Sequence, residues 1–275
     1  MESTETRVHP SAVVDPTAKL GKGVQIGPFV VIGPQVELGD RCFVGPHSVV
    51  EYATVGADCR FLPHAFVGTE PQDLKFKGEI THVEIGARTT VRECATIHRG
   101  TSASGVTKVG SDCLIMAYAH VAHDCVLADH VILANAATLA GHVDVGPGAF
   151  FGGLSAIHQF VRVGAGAMIG GGSMVPNDVA PFCLTQGDRA KIVGLNVVGL
   201  RRRGLSRESL SVLKAAYQTL FYTGVSLSEA IVRMDRGPHT PELDIFLSFL
   251  RGSSARGICR PAPKSSGEDA DSSLS

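Results

Sequence analysis

Tryptophan is absent from the 275 residues, and aromatic residues of all kinds make up only 6%, so few large rings are available to fill a conventional core. Neither sign of charge dominates: 25 Lys and Arg stand against 26 Asp and Glu, for a formal net charge of −1. A protein whose main work is nucleic-acid binding usually shows a strongly basic domain, so no nucleic-acid partner is expected and any charged partner must meet a local patch. No stretch of eighteen apolar residues is free of charge, and the first thirty residues lack a basic start followed by an apolar run. Neither a transmembrane segment nor a signal peptide is therefore expected, and the chain reads as cytoplasmic. Seven cysteines are present with no CxxC pair, which argues against a disulfide framework or a structural zinc site. Glycine, by contrast, is abundant at 32 residues, with 14 prolines and a hydrophobic fraction of 44%. That balance points to a well-cored, repetitive chain with tight corners.

The repeat is explicit. An aliphatic residue recurs every sixth position, usually followed by a small residue: Val109, Ile115, Val121, Leu127, Leu133, Leu139, Val145, Phe151, Ile157, Val163, Ile169 and Val175 form twelve hexads without a slip. An earlier tract runs from Val8 through Val14, Leu20, Ile26, Ile32, Leu38, Val44 and Val50, then shifts by one residue to Val55, Phe61 and Val67. Period six fits neither a helix nor a plain strand; it fits a short strand plus a corner, three of which close a triangular coil of eighteen residues. The first hexad position then points inward and stacks between coils about 4.8 Å apart. The fifth also faces inward and admits only small side chains, which accounts for Cys42, Cys59, Cys113 and Cys125. The hexapeptide pattern resembles that of left-handed parallel β-helices, and this resemblance supplies the expected hand.

The expected architecture is mainly β: a left-handed parallel β-helix over residues 1–180, with loop excursions at 69–82 and 101–108, then a small C-terminal α-helical domain over 181–252. Within the latter, Leu210, Leu213, Ala216, Tyr217, Leu220 and Phe221 mark one helical face after an N-cap at Ser206. Ser226 with Glu229 forms a capping box for a second helix ending near Gly237, and Thr240-Pro241-Glu242 opens a third that Gly252 ends. Residues 253–275 are rich in Ser, Pro, Gly and Asp and read as a disordered tail.

Eighteen-residue winding gives a test for a site. His123, His142 and His158 are 19 and 16 residues apart, so the three imidazoles fall close to one column on successive coils, with Gly141 and Gln159 in register with His123. One histidine on a flank is ordinarily a solvated polar residue. Three in register beside a glycine and a glutamine point to function, because imidazoles gain little from such a stack and repel when charged. Hexad starts at 67, 85, 103, 121, 139 and 157 share one face if register is kept across the excursions, which places both loops on the histidine side and brings Asp73 and Lys75 within reach. Parallel columns do not converge as a zinc set must, so no metal is expected, and no GxSxG elbow offers a serine nucleophile.

These residues closely resemble the UDP-N-acetylglucosamine O-acyltransferases that begin lipid A biosynthesis. The similar segments are Gln72-Asp73-Leu74-Lys75, Thr96-Ile97-His98-Arg99-Gly100-Thr101, Ala119-His120-Val121-Ala122-His123-Asp124-Cys125, Leu139-Ala140-Gly141-His142-Val143, Ala156-Ile157-His158-Gln159-Phe160 and the arginines between Gly199 and Gly204. The resemblance implies direct transfer of an (R)-3-hydroxyacyl chain from acyl carrier protein to UDP-N-acetylglucosamine in a homotrimer, with no cofactor. It implies His123 as general base, Asp124 as its orienting partner and the Gly141 amide as oxyanion donor. Gln72, Asp73, Lys75, His98, His120 and His142 match substrate-binding positions, with Asp73 and His142 holding sugar hydroxyls; His158, Gln159, Asn196, Arg202 and Arg203 match positions on the nucleotide side. Met168 and Gly171 match positions that set acyl-chain length, and the small Gly171 implies a long donor of the hydroxymyristoyl class. Arg201, Arg202, Arg203 and Arg207 offer a basic surface to the acidic carrier protein. Val198 departs from a glutamate common in the family, and Asp188-Arg189 from an asparagine and histidine.

Two other activities share the hexapeptide prism. An N-acyltransferase acting on a UDP-amino-sugar is one, although the enzyme acting later in the pathway normally carries an extra N-terminal domain and here the hexads start at Val8. A zinc enzyme resembling γ-class carbonic anhydrases is the other. A purely structural β-helix would show flat threonine faces and no need for Asp73 or the histidines.

Overall fold

The computed structural model describes residues 5–262. Short strands, most of two residues, fall in turn into three sheets of eleven, nine and eight strands, and through the coils up to Val175 each strand pairs with the one three places along the chain. We call these sheets one, two and three in the order in which the chain meets them, at Arg7–Val8, Val13–Val14 and Lys19–Leu20. All pairings along the coils are parallel, so the chain forms a three-sided parallel β-helix. The hexad aliphatics fill its axis: Ile32, Phe61, Ile97, Ile115, Leu127, Leu133, Leu139, Phe151 and Ile169 are among the largest fully buried side chains. Cys42, Cys59, Cys113 and Cys125 are buried at the small inward position, and all seven cysteines are unpaired.

Most corners are two residues long, and from Gly23 onward the second residue commonly takes a left-handed backbone even where it is not glycine, as at Gln35, Arg41, Asp124, His142 and Phe160. The first corner residue is proline in coil after coil, at Pro10, Pro16, Pro28, Pro34, Pro46, Pro63 and Pro147. Proline has no N–H to lose, so the winding itself has no use for an amide at that position. This detail matters for the site.

Register across the excursions differs from the simple expectation. The residues aligned in sheet two are Val50, Val67, Ile97, Val121, Leu139 and Ile157. Ile85 lies in sheet three beside Val55 and Val109, and Ala103 lies in a loop, so residues 85 and 103 do not share the face of Val121. Each excursion adds residues at a corner without disturbing the coil beyond it, which is why counting straight through in sixes misassigns them. Both nonetheless leave between sheet two and sheet three: the first between Phe66–Thr69 and His82–Ile85, the second between Thr96–His98 and Val106–Val109.

The sheet does not stop at residue 180. Cys183–Gln186 continues sheet one, and Lys191–Leu195 pairs with it antiparallel. Four helices follow: α1 (Val197–Arg202), α2 (Arg207–Tyr222), α3 (Leu227–Asp235) and α4 (Pro241–Arg251). Ser206, Ser226 and Thr240 cap the last three, each accepting from the amide three residues on. Six-residue α1 was not expected; VVGLRR carries two β-branched residues and a glycine, a poor helical pattern. Arg162 docks α4 on the prism through Asp178 Oδ2 at 2.8 Å, the Phe249 carbonyl at 3.2 Å and the Phe249 ring at 4.4 Å.

Residues 253–262, expected to belong to a structureless tail, instead return to the prism: Asp178 N donates to Gly257 O, Cys259 N to Asp178 O, and the Cys259 side chain is buried. Backbone hydrogen bonds outweigh the polar composition there. The rest of the expected tail, 263–275, lies outside the described residues. Among those described, no helix is long and apolar enough to cross a membrane.

Candidate functional site

The corner between sheets two and three gathers most of the singled-out residues. Three adjacent columns run along it at the coil spacing: Ala122, Ala140 and His158; His123, Gly141 and Gln159; Asp124, His142 and Phe160. The three histidines therefore stand in three neighbouring columns, not one. Two converge. The His123 and His142 rings are 5.1 Å apart and nearly perpendicular, and His142 stacks on Phe160 at 4.5 Å. His158 points away into solvent, its Nδ1 3.2 Å from the Gln159 carbonyl oxygen. Phe160 stands in one of the family-like segments but has no role assigned from the sequence, although its spacing of eighteen from His142 puts the two rings in one column.

Asp124 is buried and fully engaged. Its carboxylate accepts from Thr101 N at 3.0 Å, Thr101 Oγ1 at 2.7 Å, the Ser104 hydroxyl, and His123 Nδ1 at 2.8 Å. Burial alone would raise its pKa, but the combined donors of Ser104, Thr101 and His123 win and hold it at about 2. The second excursion thus exists to wrap this carboxylate, a role invisible in its Ser/Gly/Thr-rich composition. An ionised Asp124 fixes the proton of His123 on Nδ1 and leaves the Nε2 lone pair free to accept one.

That lone pair lies against Gly141. A methyl group built on Gly141 would meet His123 Cε1 at 2.5 Å and Nε2 at 2.8 Å. Gly141 occupies the corner position held elsewhere by proline, and among the described residues its amide meets no backbone acceptor. The site therefore places a proton acceptor beside an N–H that no backbone acceptor engages among the described residues. That pairing is what acyl transfer to a hydroxyl needs: a base for the attacking oxygen and a donor for the oxyanion.

The neighbouring imidazoles are held neutral. His98 is pushed down to about 4 by burial, helped by His120, His123 and Arg99. Its ring meets that of His120 at 4.8 Å, and its buried Nδ1 has no partner among the described residues. Burial and then His123 lower the pKa of His120, which shares a hydrogen bond of 2.7 Å with Thr96. Burial lowers that of His142 too, opposed by the charges of Asp124 and Asp73. Asp73 is half-buried, whereas Gln72 and Lys75 on the same excursion are exposed. An Asp73→Asn change removes one of the charges raising His142. Its titration, followed through imidazole C–H resonances by NMR, is expected to move to lower pH; an upward move would place Asp73 elsewhere.

The donor atoms of His123, Asp124 and His142 lie within 4.8 Å of one another, so the columns converge more than parallel walls implied. The reason is Asp124, which turns inward from the left-handed corner between the two rings. As a metal set it is poor: three donors besides His123 already occupy the carboxylate oxygens, and His123 directs Nδ1 to the carboxylate instead of beside it.

Comparison with known proteins identifies the chain's relatives. Residues 178–259 match the model of "Udp N-acetylglucosamine O-acyltransferase; Domain 2", and residues 17–52 and 107–141 match that of bacterial transferase hexapeptide repeats. An acyl-[acyl-carrier-protein]--UDP-N-acetylglucosamine O-acyltransferase of Burkholderia orbicola is 48% identical over 262 residues, covering 93% of this chain and 100% of its own. The chain belongs to the UDP-N-acetylglucosamine O-acyltransferase family. Among solved structures, the UDP-N-acetylglucosamine acyltransferase of Bacteroides fragilis superposes with a TM-score of 0.89 at 36% identity, covering 92% of this chain and all of its own. That of Campylobacter jejuni gives 0.87 at 39%, covering 93% and 100%. The fold is accordingly the left-handed parallel β-helix with a small helical C-terminal region.

Within this family frame, the remaining expected site residues lie on other edges of the chain. Asn196 caps α1 through Gly199 N at 3.0 Å and donates to Gly166 O at 3.2 Å; Arg203 donates to the Gly148 carbonyl. Gly148 and Gly166 are corners between sheets three and one, so Asn196 and Arg203 sit on a different edge from His123, with exposed Arg202 beside them. Gly171 stands at a third edge, between sheets one and two, and Met168 lies in sheet one just before it. One chain alone does not bring these groups to His123.

Proposed function

We propose that the protein transfers an (R)-3-hydroxyacyl chain from acyl carrier protein to the 3-hydroxyl of UDP-N-acetylglucosamine, the first step of lipid A synthesis, as a cytoplasmic homotrimer. The observation that carries the reading is His123, oriented by a buried ionised Asp124 and leaning on the Gly141 amide. His123 Nε2 takes the proton of the sugar 3-hydroxyl as its oxygen bonds to the thioester carbon. The resulting oxyanion accepts from Gly141 N–H. Collapse breaks the carbon–sulfur bond, and the carrier's thiolate leaves with the proton from the imidazolium. No cofactor enters. Seven unpaired cysteines suit a reducing compartment.

The carrier protein is acidic, and a groove of about 590 Å³ between α1 and α2 is lined by Arg201, Arg207 and Lys214 over Leu205 and Leu210, which supports that face as its dock. For the acyl chain, Gly171 is exposed, and an added methyl group would meet only backbone of Gly153, the nearest atom at 3.3 Å. The open corner favours a long donor. The deciding assay offers ten- and fourteen-carbon hydroxyacyl carrier proteins with UDP-N-acetylglucosamine and its 3-amino analogue. Fastest turnover is expected for the fourteen-carbon donor with the hydroxyl acceptor; preference for the amine would move the reading to N-acylation.

Three edges in one chain that serve one site require several copies, which supports the trimer. His123→Ala and Arg203→Ala are each expected to be nearly inactive. Co-refolded in equal amounts, they are expected to recover roughly a quarter of native activity, because random head-to-tail interfaces pair an intact edge of each kind that often. If no activity returns, the residues serve one chain and the shared site is wrong.

A further inference from the structure

The first excursion carries its own internal turns: Phe76 N donates to Asp73 O at 2.9 Å, Lys75 N to Asp73 Oδ1 at 3.0 Å and Lys77 N to Glu79 Oε2 at 2.8 Å. None of these ties it to the prism. Among the described residues, the ring and ion-pair contacts that cross from residues 70–80 to the prism end on one side chain, Arg99. Its guanidinium carbon lies 5.2 Å from the centre of the Phe76 ring, and its Nη2 is 3.9 Å from Glu70 Oε1.

Arg99 is 5% exposed. Its Nη1 donates to Gly68 O at 3.0 Å and meets Glu51 at 3.4 Å, while the Tyr52 ring lies 4.4 Å from the guanidinium carbon. Gly68 is where the excursion departs, with φ of +80° and Glu51 O only 1.6 Å from where a methyl group would sit, so nothing but glycine fits. The backbone closes the knot: Arg99 N donates to Thr69 O and Gly100 N to His82 O, each at 3.2 Å, one at each end of the excursion.

Burying a cation this deeply is costly unless it is paired and hydrogen-bonded. Here Glu51 supplies the charge, and its own pKa is pushed up by burial, with Arg99 opposing. Yet the Nε–H of Arg99 is buried without an acceptor among the described residues. Charge balance alone therefore does not explain an arginine. A lysine would satisfy Glu51 without that orphaned donor, but only a planar guanidinium stacks on two rings at once. The feature specific to arginine is contact with Tyr52 on the prism and Phe76 on the excursion.

We infer that Arg99 is a positioning residue that seats the 70–80 excursion, and Asp73 with it, on the edge that carries His123. The consequence for catalysis rests on the reading of Asp73 and His142 as groups that hold the sugar. Arg99→Lys keeps the charge opposite Glu51 and is the informative variant. Its kcat/KM toward UDP-N-acetylglucosamine is expected to fall at least about tenfold, mainly through KM, with the KM for acyl carrier protein and the melting temperature little changed. In the Arg99→Lys background, Asp73→Ala is expected to cost much less than in the native protein, because the carboxylate has already left its place. Limited trypsin digestion supplies a readout independent of activity: cleavage after the exposed Lys75 and Lys77 is expected to accelerate in Arg99→Lys. Faster cleavage with a native protein inert toward the sugar nucleotide would sink the substrate reading and keep the seating. Unchanged cleavage, or full additivity of the two substitutions, overturns the seating itself.

Discussion

Alanine at position 123 is expected to lower kcat by about 10² to 10⁴, the usual contribution of a positioned general base, while leaving the KM for UDP-N-acetylglucosamine within a few-fold of native. The expectation of an intact fold rests on Asp124. Without the imidazole, the buried carboxylate keeps its hydrogen bonds from Thr101 and Ser104, so no unpaired charge is created in the wall of the prism. His142 is not placed to substitute: its Nε2 is 3.7 Å from Asp124 Oδ2, its ring is stacked on Phe160, and burial lowers its basicity. The measurement is steady-state transfer from hydroxymyristoyl carrier protein, with circular dichroism and sedimentation to confirm the fold and assembly. Turnover within a few-fold of native would remove the base, and with it the mechanism. Asp124→Asn is a useful companion, because an amide hydrogen-bonds the ring without enforcing the tautomer that leaves Nε2 free.

Much of this architecture is legible in the sequence because its physics is one-dimensional. A residue buried at every sixth position, as at Val109 through Val175, is an unbroken signal that no other fold produces, and each strand needs only its neighbours above and below. Caps at Ser206, Ser226 and Thr240 were equally readable, since a hydroxyl before a helical face satisfies an amide that has no other partner. Reading fails where the chain leaves the period. The excursions break the count, so Ile85 was assigned to the wrong wall, and the Thr101 and Ser104 donors that fix Asp124 were hidden in a composition that says only loop. Likewise Arg99 sits inside a recognisable segment, but its role depends on Tyr52 and Phe76, far from it in sequence. Arg203 shows the remaining limit: the resemblance implies a place for it on the nucleotide side of the site, while within a single chain it sits on another edge, holding the Gly148 carbonyl.

The second large effect is expected from Gly141→Ala, a change of one methyl group. Gly141 does not need glycine for its backbone, since it is absent from the residues of positive φ; the requirement is space. The added carbon would lie 2.5 Å from His123 Cε1 and 2.8 Å from Nε2, far inside the roughly 3.5 to 4.0 Å at which such atoms rest. The ring must swing away, and because Nδ1 is tied to a carboxylate fixed by the second excursion, the swing breaks the His123–Asp124 hydrogen bond. The same methyl group crowds the space in front of the amide, where the oxyanion is to form. A loss of about 10² to 10³ in kcat is expected, comparable to deletion of an oxyanion donor, with the melting temperature nearly unchanged because the corner faces outward. The two routes separate in a cycle. If Gly141→Ala acts only by displacing the base, it costs nothing further in a His123→Ala background; if it also spoils the oxyanion site, residual turnover falls again. A Gly141→Ala protein with native kcat would show that neither the ring position nor the space before the amide limits the reaction.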